Sequence, residues 1–223
     1  PGMGGQQIPV MFDPLGGINP QDTIEDVSAG DLAKLVQNNT PYYIPTFLFW
    51  KRFRRGRFNF CSFLFSGAWM LYRKMYKFGA IVTAIMVALY FCNLIVTNNL
   101  FTPLLEELFQ EAGIALDSVT VTMEQIQQVQ ILLLQRPATD LFILCLPTLI
   151  WLVQLAVMLF CGIQGNKMYC NFCLNKVKKI RSSVSEEKQV AEQLQTQGGV
   201  NTSIAICFLI CYLLVMWFPR LLF

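Results

Sequence analysis

The sequence predicts an all-α integral membrane protein, with three transmembrane helices, an aromatic re-entrant or interfacial helix and amphipathic loop helices. Three observations carry this prediction. The 223 residues are 54% hydrophobic and only 14% charged, against about 25% charged in a typical soluble domain. The runs Phe78–Val96, Leu141–Ile163 and Ser203–Phe218 contain no Asp, Glu, Lys or Arg. Ahead of them, the aromatic run Phe58–Leu71 is bounded by Arg and Lys on both sides with no acid among them.

Residues 1–20 are rich in Gly and Pro without apolar periodicity and read as a linker. Because the chain opens on Pro1-Gly2-Met3-Gly4-Gly5, it is expected to be trimmed, with a segment ahead of Pro1. Met3 to Asn39 lacks the basic and apolar regions of a signal peptide, so a leading soluble portion is expected to stay on the side of synthesis. Residues 21–57 form an amphipathic and basic module. Ser28 followed by Asp31 has the form of a capping box with Asp in place of Glu. Leu32, Leu35 and Val36 then mark a helix of about ten residues. Pro41 ends it, and Tyr42, Tyr43, Phe47, Phe49 and Trp50 follow at helical spacing. Asp13, Asp22, Glu25, Asp26 and Asp31 against Lys34 make the start of this module acidic. Its end, Lys51 to Arg57, carries five positive charges in seven residues: Lys51, Arg52, Arg54, Arg55 and Arg57. Such a run suits nucleic acid or an anionic lipid surface. Its direct junction with Phe58–Leu71 favours lipid, where each charge is worth about 1 kcal/mol.

Residues 58–77 form the aromatic segment. The 14 apolar residues Phe58–Leu71 reach about 21 Å as a helix, against a hydrocarbon core of about 30 Å. Positive charge returns after them at Arg73, Lys74 and Lys77, so the segment dips or lies flat rather than crossing. Trp69, Tyr72 and Tyr76 suit the headgroup level. With Arg52, Arg54, Arg55, Arg57, Arg73, Lys74 and Lys77 they are expected to form a lipid-facing anchor. The first crossing takes residues 78–97 and is closed by Asn98-Asn99 and Pro103. Residues 98–139 form a helical loop, with Leu104, Leu105, Leu108 and Phe109 on one face and a second helix from about Val121 to Gln135. The second crossing, 140–164, contains Pro147 and ends at Gly162. A basic helical loop, 165–202, leads to Gly198-Gly199 and to a third crossing, 203–223, with Trp217 and Arg220 at its interface.

The loops set the orientation. Residues 51–77 hold eight Lys or Arg and no acid, 98–139 hold Arg136 against five acids, and 164–202 hold six against three. The positive-inside rule then places the N-terminus inside and the C-terminus outside.

Chemistry-bearing constellations are sparse. The chain has no histidine, which removes Ser-His-Asp and Cys-His arrangements. Of eight cysteines, Cys61, Cys92, Cys145, Cys161, Cys207 and Cys211 lie in apolar runs and act as small hydrophobes. Cys170 and Cys173 have the spacing of a thiol redox pair or half a zinc site, but no second CxxC or histidine completes four zinc ligands. No metal or cofactor is expected. Asn93 and Gln154 are the polar groups within the crossings, suited to helix–helix hydrogen bonds or to lining a path.

Tyr42-Tyr43-Ile44-Pro45, Phe58-Asn59-Phe60, Gly67-Ala68-Trp69 and Tyr72-Arg73-Lys74-Met75-Tyr76, at this spacing, resemble the bacterial membrane-protein family called domain of unknown function 2628. Gly165-Asn166-Lys167-Met168-Tyr169 is similar to that family's later Asn-x-x-Tyr element, and Gly198-Gly199 with Thr202-Ser203 to the break before its last helix. The resemblance covers roughly residues 30–218, and the YRKMY run is its most specific part. Phe60 and Ser66 stand where relatives often carry Trp and Phe or Leu, and the 103–139 loop is longer than usual. The resemblance implies a multi-pass protein of the bacterial cytoplasmic (inner) membrane, with any zinc ribbon upstream of Pro1. It supplies no catalytic residues.

These readings lead to an expected non-enzymatic scaffold or adaptor that couples a cytoplasmic module to the bilayer and to a membrane-protein partner or a second copy of itself, without nucleic acid. A pore or transport component built as an oligomer around Asn93, Gln154 and Pro147 is the alternative. A thiol redox protein using Cys170 and Cys173 is the third reading. It requires both sulfurs exposed with Cβ atoms within about 4.5 Å.

Overall fold

Two long apolar helices dominate the structure, a computed structural model that describes residues 15–115, 120–208, 210, 211 and 214. In chain order come β1 (Thr23–Ile24), β2 (Val27–Ser28), α1 (Ala29–Val36), α2 (Thr40–Phe53), α3 (Phe60–Tyr72) and α4 (Tyr76–Val96). A π-helical turn, Thr97–Phe101, leads into α5 (Thr102–Glu111), followed by α6 (Met123–Gln135), α7 (Ala138–Ser183) and α8 (Glu187–Gln197). The fold is all-α apart from the two-residue strands, which pair antiparallel through a turn with positive φ at Glu25 and Asp26. That geometry is the type I′ hairpin turn, which no sequence pattern announced. Residues 202–208 are helical. Most of the rest of the expected third crossing, with Trp217 and Arg220, lies outside the described residues, as do residues 1–14 of the expected linker and Asp13.

Among the described residues, Tyr76–Glu111 (36 residues) and Ala138–Ser183 (46 residues) are long and apolar enough to cross a membrane. In the most apolar stretch of each, 6% and 0% of the residues are buried. The core helix of a soluble protein would bury such a stretch; here Phe142, Trp151, Leu152 and Val153 face outward. A continuous exposed apolar belt of this length fits a lipid environment.

The described residues form two compact units, one from Pro1–Thr83 and Met158–Phe223, the other from Ala84–Val157. The first is a helical bundle. Ser28 caps α1 by accepting a hydrogen bond from the Asp31 amide, as the capping pattern predicts. Asp31 does not close the box. Its buried carboxylate instead receives Arg181 Nε at 2.6 Å, and Arg181 also reaches Glu187 at 2.9 Å. α1 lies against α8, and Leu32, Val36, Ile44, Phe47, Leu174, Val177 and Leu194 are all at most 1% exposed.

α3 starts two residues into the expected aromatic segment, because Asn59 caps it by accepting from Ser62 N at 2.9 Å. Ser66 (φ 41°, ψ −112°) breaks it midway. Gly67 and Gly165 allow its two close approaches. A Cβ on Gly67 would lie 2.6 Å from Thr83 N in α4, and one on Gly165 would lie 2.8 Å from Ser62 Cβ. Gly162 has the same use rather than ending a helix, since a Cβ there would meet the Phe58 ring at 2.5 Å. α7 therefore continues unbroken past the expected boundary at 164, to Ser183.

The Ala84–Val157 unit departs from expectation at Asn98-Asn99, which sit inside the π-helical turn rather than closing a helix. Pro103 falls in the first turn of α5, where its missing N–H costs little. α6 opens with a complete capping box. Thr122 Oγ1 accepts from Gln125 N at 3.3 Å, and Gln125 Oε1 accepts from Thr122 N at 3.0 Å. Arg136 gathers Glu107 (2.9 Å), Glu111 (2.8 Å) and Asp140 (3.6 Å). Hydrogen bonds to Glu107 and then Glu111 raise its pKa.

Candidate functional site

In the first unit the chain reverses between α3 and α4 over Arg73, Lys74 and Met75. Lys74 takes the left-handed conformation (φ 60°) and its amide donates to Leu71 O at 2.9 Å, while Met75 N donates to Met70 O at 2.9 Å. These bonds satisfy the last carbonyls of α3. The same turn drives the Arg73 side chain inward, leaving the residue 5% exposed.

Arg73 sits inside an aromatic cage. Its guanidinium lies 4.4 Å from the Tyr43 ring centroid, 5.4 Å from Tyr169 and 5.5 Å from Tyr72. Trp69 backs the cage edge-on to Tyr169 at 5.9 Å, and Tyr43 meets Tyr169 at 5.1 Å. One guanidinium nitrogen donates to Asn38 O at 3.1 Å at the end of α1, but the buried Nε has no hydrogen-bond partner. Among the described residues the ion-paired cations are Lys34, Lys51, Arg136 and Arg181, so no carboxylate lies within 4.0 Å of Arg73. Burying a charge without a counter-charge costs several kcal/mol. Desolvated cation–π contacts recover about 2 kcal/mol each, and a hydrogen bond from a charged donor about 1.5–3 kcal/mol.

Two further cations flank the cage. Lys74 Nζ donates to Gly198 O, and Lys176 Nζ donates to Gln197 O at 2.9 Å. These carbonyls end α8, where the helix dipole favours positive charge. Burial first, and then the charge of Lys74, pull the Lys176 pKa below its ordinary value. A cleft of about 10 Å³, the size of one water site, opens among Arg73, Lys74, Tyr169, Cys173, Lys176 and Gly198.

A polar network locks the entry to α3. Asn59 Nδ2 donates to Asn166 Oδ1 at 2.8 Å, and Asn166 Nδ2 donates to Tyr42 Oη and Arg57 O, both at 3.0 Å. Ser62 Oγ donates to Cys161 O at 2.9 Å. The stretches that carry the resemblance, at Tyr42-Tyr43, Asn59, Trp69, Arg73, Asn166 and Tyr169, are thus brought together by tertiary packing.

The expected anchor divides in two. Arg52, Arg54, Arg55, Arg57, Tyr76 and Lys77 are exposed, and Tyr72 and Lys74 are half-buried. Trp69 and Arg73, each 5% exposed, do not face outward; Trp69 on α3 and Arg73 just past its end both pack on Tyr169. The thiol pair is corrected as well. Cys170 and Cys173 are unbridged and each is 1% exposed, so the exposed sulfurs that redox chemistry requires are absent. Burial pushes the Cys170 pKa up to about 12 and raises those of Cys173 and Tyr169. All three stay protonated near neutrality, when a reactive cysteine needs the thiolate. Among the described residues no group of three or more His, Cys, Asp or Glu is placed to hold a metal ion.

Sequence reasoning missed Asn38, Tyr43 and Tyr169 as partners of Arg73. The available signal was an arginine beside a tyrosine-rich stretch with no acid near it in sequence. No family model, curated protein or solved structure matches this chain.

Proposed function

We propose that the chain is a non-enzymatic scaffold or adaptor, in the bacterial inner membrane where its resemblance to the domain of unknown function 2628 family would place it. In this reading the N-terminal module and the 165–202 loop are cytoplasmic, and α5 and α6 lie outside. Three helices cross, the last from residue 203, and the exposed Arg52, Arg54, Arg55, Arg57 and Lys77 meet anionic lipid. Partners are a second membrane protein or a second copy of the chain.

The observation that carries the reading is α7. Its N-terminal half exposes apolar side chains, and its C-terminal half buries Tyr169, Cys173, Leu174, Val177 and Ile180 in the bundle. At 46 residues it reaches about 69 Å, over twice the hydrocarbon thickness of about 30 Å. One helix therefore has length enough to cross and to supply the spine of a cytoplasmic module. Reporter fusions test the topology: Gly113 is expected to report outside and Ser185 inside, and the reverse result sinks the reading.

An oligomeric pore has one observation in its favour. The amide oxygen of Asn93, on α4, has no hydrogen-bond partner within the chain, and a turn of that side chain towards a neighbouring protomer would supply one. Ion flux into liposomes above that of empty vesicles would favour the pore over the scaffold.

A further inference from the structure

We infer that the cleft among Arg73, Lys74 and Lys176 binds a phosphate group, such as that of an anionic phospholipid head. The strongest warrant is the missing counter-charge. Three cations converge on the cleft, and among the described residues no carboxylate lies within 4.0 Å of any of them. Arg73 is almost wholly buried, yet its Nε donor is unpaired. Buried charges are ordinarily paired, and the tyrosines around this one attract the cation while leaving its Nε without an acceptor.

Size and mobility suit a phosphate at the mouth of the cleft. The interior admits one oxygen-sized atom beside the Arg73 side chain. The other oxygens would stay at the half-buried Lys74 and Lys176 ammonium groups, which now rest on the Gly198 and Gln197 carbonyls. Long lysine stems can leave those carbonyls to water and turn to the negatively charged phosphate oxygens, where attraction between opposite charges adds to the hydrogen bond. The like-charge crowding of Lys176 by Lys74 is a cost that a bound anion removes.

Placement favours lipid over free phosphate. Asn201 N donates to Tyr72 O at 2.8 Å and Asn201 Nδ2 donates to Tyr76 Oη at 3.1 Å, so the cleft adjoins the first residues of α4 and of the helix at 202–208. On the topology proposed above, on which the lipid source rests, this is the headgroup level of the inner leaflet, where anionic lipids collect.

The test uses the full chain in detergent micelles. Inorganic phosphate and added phosphatidylglycerol are the probes, with phosphatidylcholine as the control, and the rise in Tm is read against probe concentration. Phosphatidylglycerol is expected to stabilise the protein where phosphatidylcholine does not. Lys74→Gln and Lys176→Gln each weaken the apparent affinity about tenfold, the loss of one charged hydrogen bond. Lys179→Gln, at an exposed position on the same helix, leaves it unchanged. The Tm of each variant without probe shows that it folds, and either cleft variant suffices. Affinity unchanged in both cleft variants, or lost equally in Lys179→Gln, overturns the site. Response to phosphate but not to phosphatidylglycerol keeps the anion site and overturns its lipid source. Reversed reporters at Gly113 and Ser185 with phosphate binding intact overturn the topology alone.

Discussion

Replacing Asn166 by alanine removes the centre of the network that fixes α3 to α7. The residue is 3% exposed and makes three hydrogen bonds, at 2.8, 3.0 and 3.0 Å. Two of its partners can be rescued by water, because Tyr42 is half-buried and Arg57 exposed. Asn59 cannot, since it is 4% exposed and its amide nitrogen is left facing a void. An unsatisfied buried donor costs about 1–3 kcal/mol, and each replaced bond adds about 0.5–1.5 kcal/mol. The sum is about 3 kcal/mol. For a chain of this size each kcal/mol moves Tm by about 2–4 °C, so a fall of about 6–12 °C is expected. The assay is thermal unfolding of the purified full chain in detergent, followed by circular dichroism. A double-mutant cycle sharpens it. Asn59→Ala also loses the cap on α3, worth about 1 kcal/mol, yet the double variant should be less destabilised than the sum by about 1–2 kcal/mol. A Tm within about 2 °C of wild type for Asn166→Ala, or strict additivity in the cycle, would refute the claim that this network holds α3 in place.

Two other perturbations probe different links. Gly67→Ala places a Cβ 2.6 Å from Thr83 N and 2.8 Å from Gly79 O, both backbone atoms that cannot swing away. Overpacking of this kind costs about 1–3 kcal/mol, and a Tm equal to wild type would mean that α3 and α4 cross with slack. Cys170 and Cys173 should resist maleimide at pH 8 until the protein is unfolded, whereas a Lys179→Cys control, at an exposed position outside the crossings, labels at once. Because Cys170 titrates near 12 in the fold against an ordinary 9.0, the unfolded chain loses its proton first. Stability therefore falls as pH rises from about 9 towards 12. Cys170→Ala should flatten that decline without abolishing it, since Tyr169 and Cys173 are shifted the same way.

Local rules were legible where local chemistry decides. Ser28 ahead of Asp31 marks the start of α1, and the apolar stripe from Met123 to Leu133 lies within α6, Met123–Gln135. Stop signals failed wherever long-range packing used the same residue otherwise. Gly162 looked like a terminus because glycine is a poor helix former, yet it serves Phe58, and the helix around it is held by contacts the local pattern does not contain. Asn98-Asn99 failed for a different reason, since one wide π-helical turn absorbs the break and hands Pro103 to a position that tolerates it. The anchor failed at Arg73 because burial depends on Tyr43 and Tyr169, which approach from two other helices. A basic cluster next to apolar residues reads as interfacial from sequence. Only the tertiary position of the tyrosines separates Arg73 from the exposed Lys77.

The choice of arginine rather than lysine at position 73 follows from the cage. A guanidinium is a plane that lies against the Tyr43 ring while one edge nitrogen still reaches Asn38 O. An ammonium at the same depth is a point charge with a larger hydration cost and no flat face to stack. The single side chain thereby joins the end of α1, α2 through Tyr43, the α3–α4 turn and α7 through Tyr169. Among the described residues its partners are tyrosines and one carbonyl, none of which cancels its charge, so the positive potential persists into the adjoining cleft. Adding a carboxylate to the core would have neutralised that potential and closed the cleft to anions. Among the described residues the charge is left uncompensated at the place where Lys74 and Lys176 extend it towards the surface, which is the arrangement expected where an external anion completes the pair.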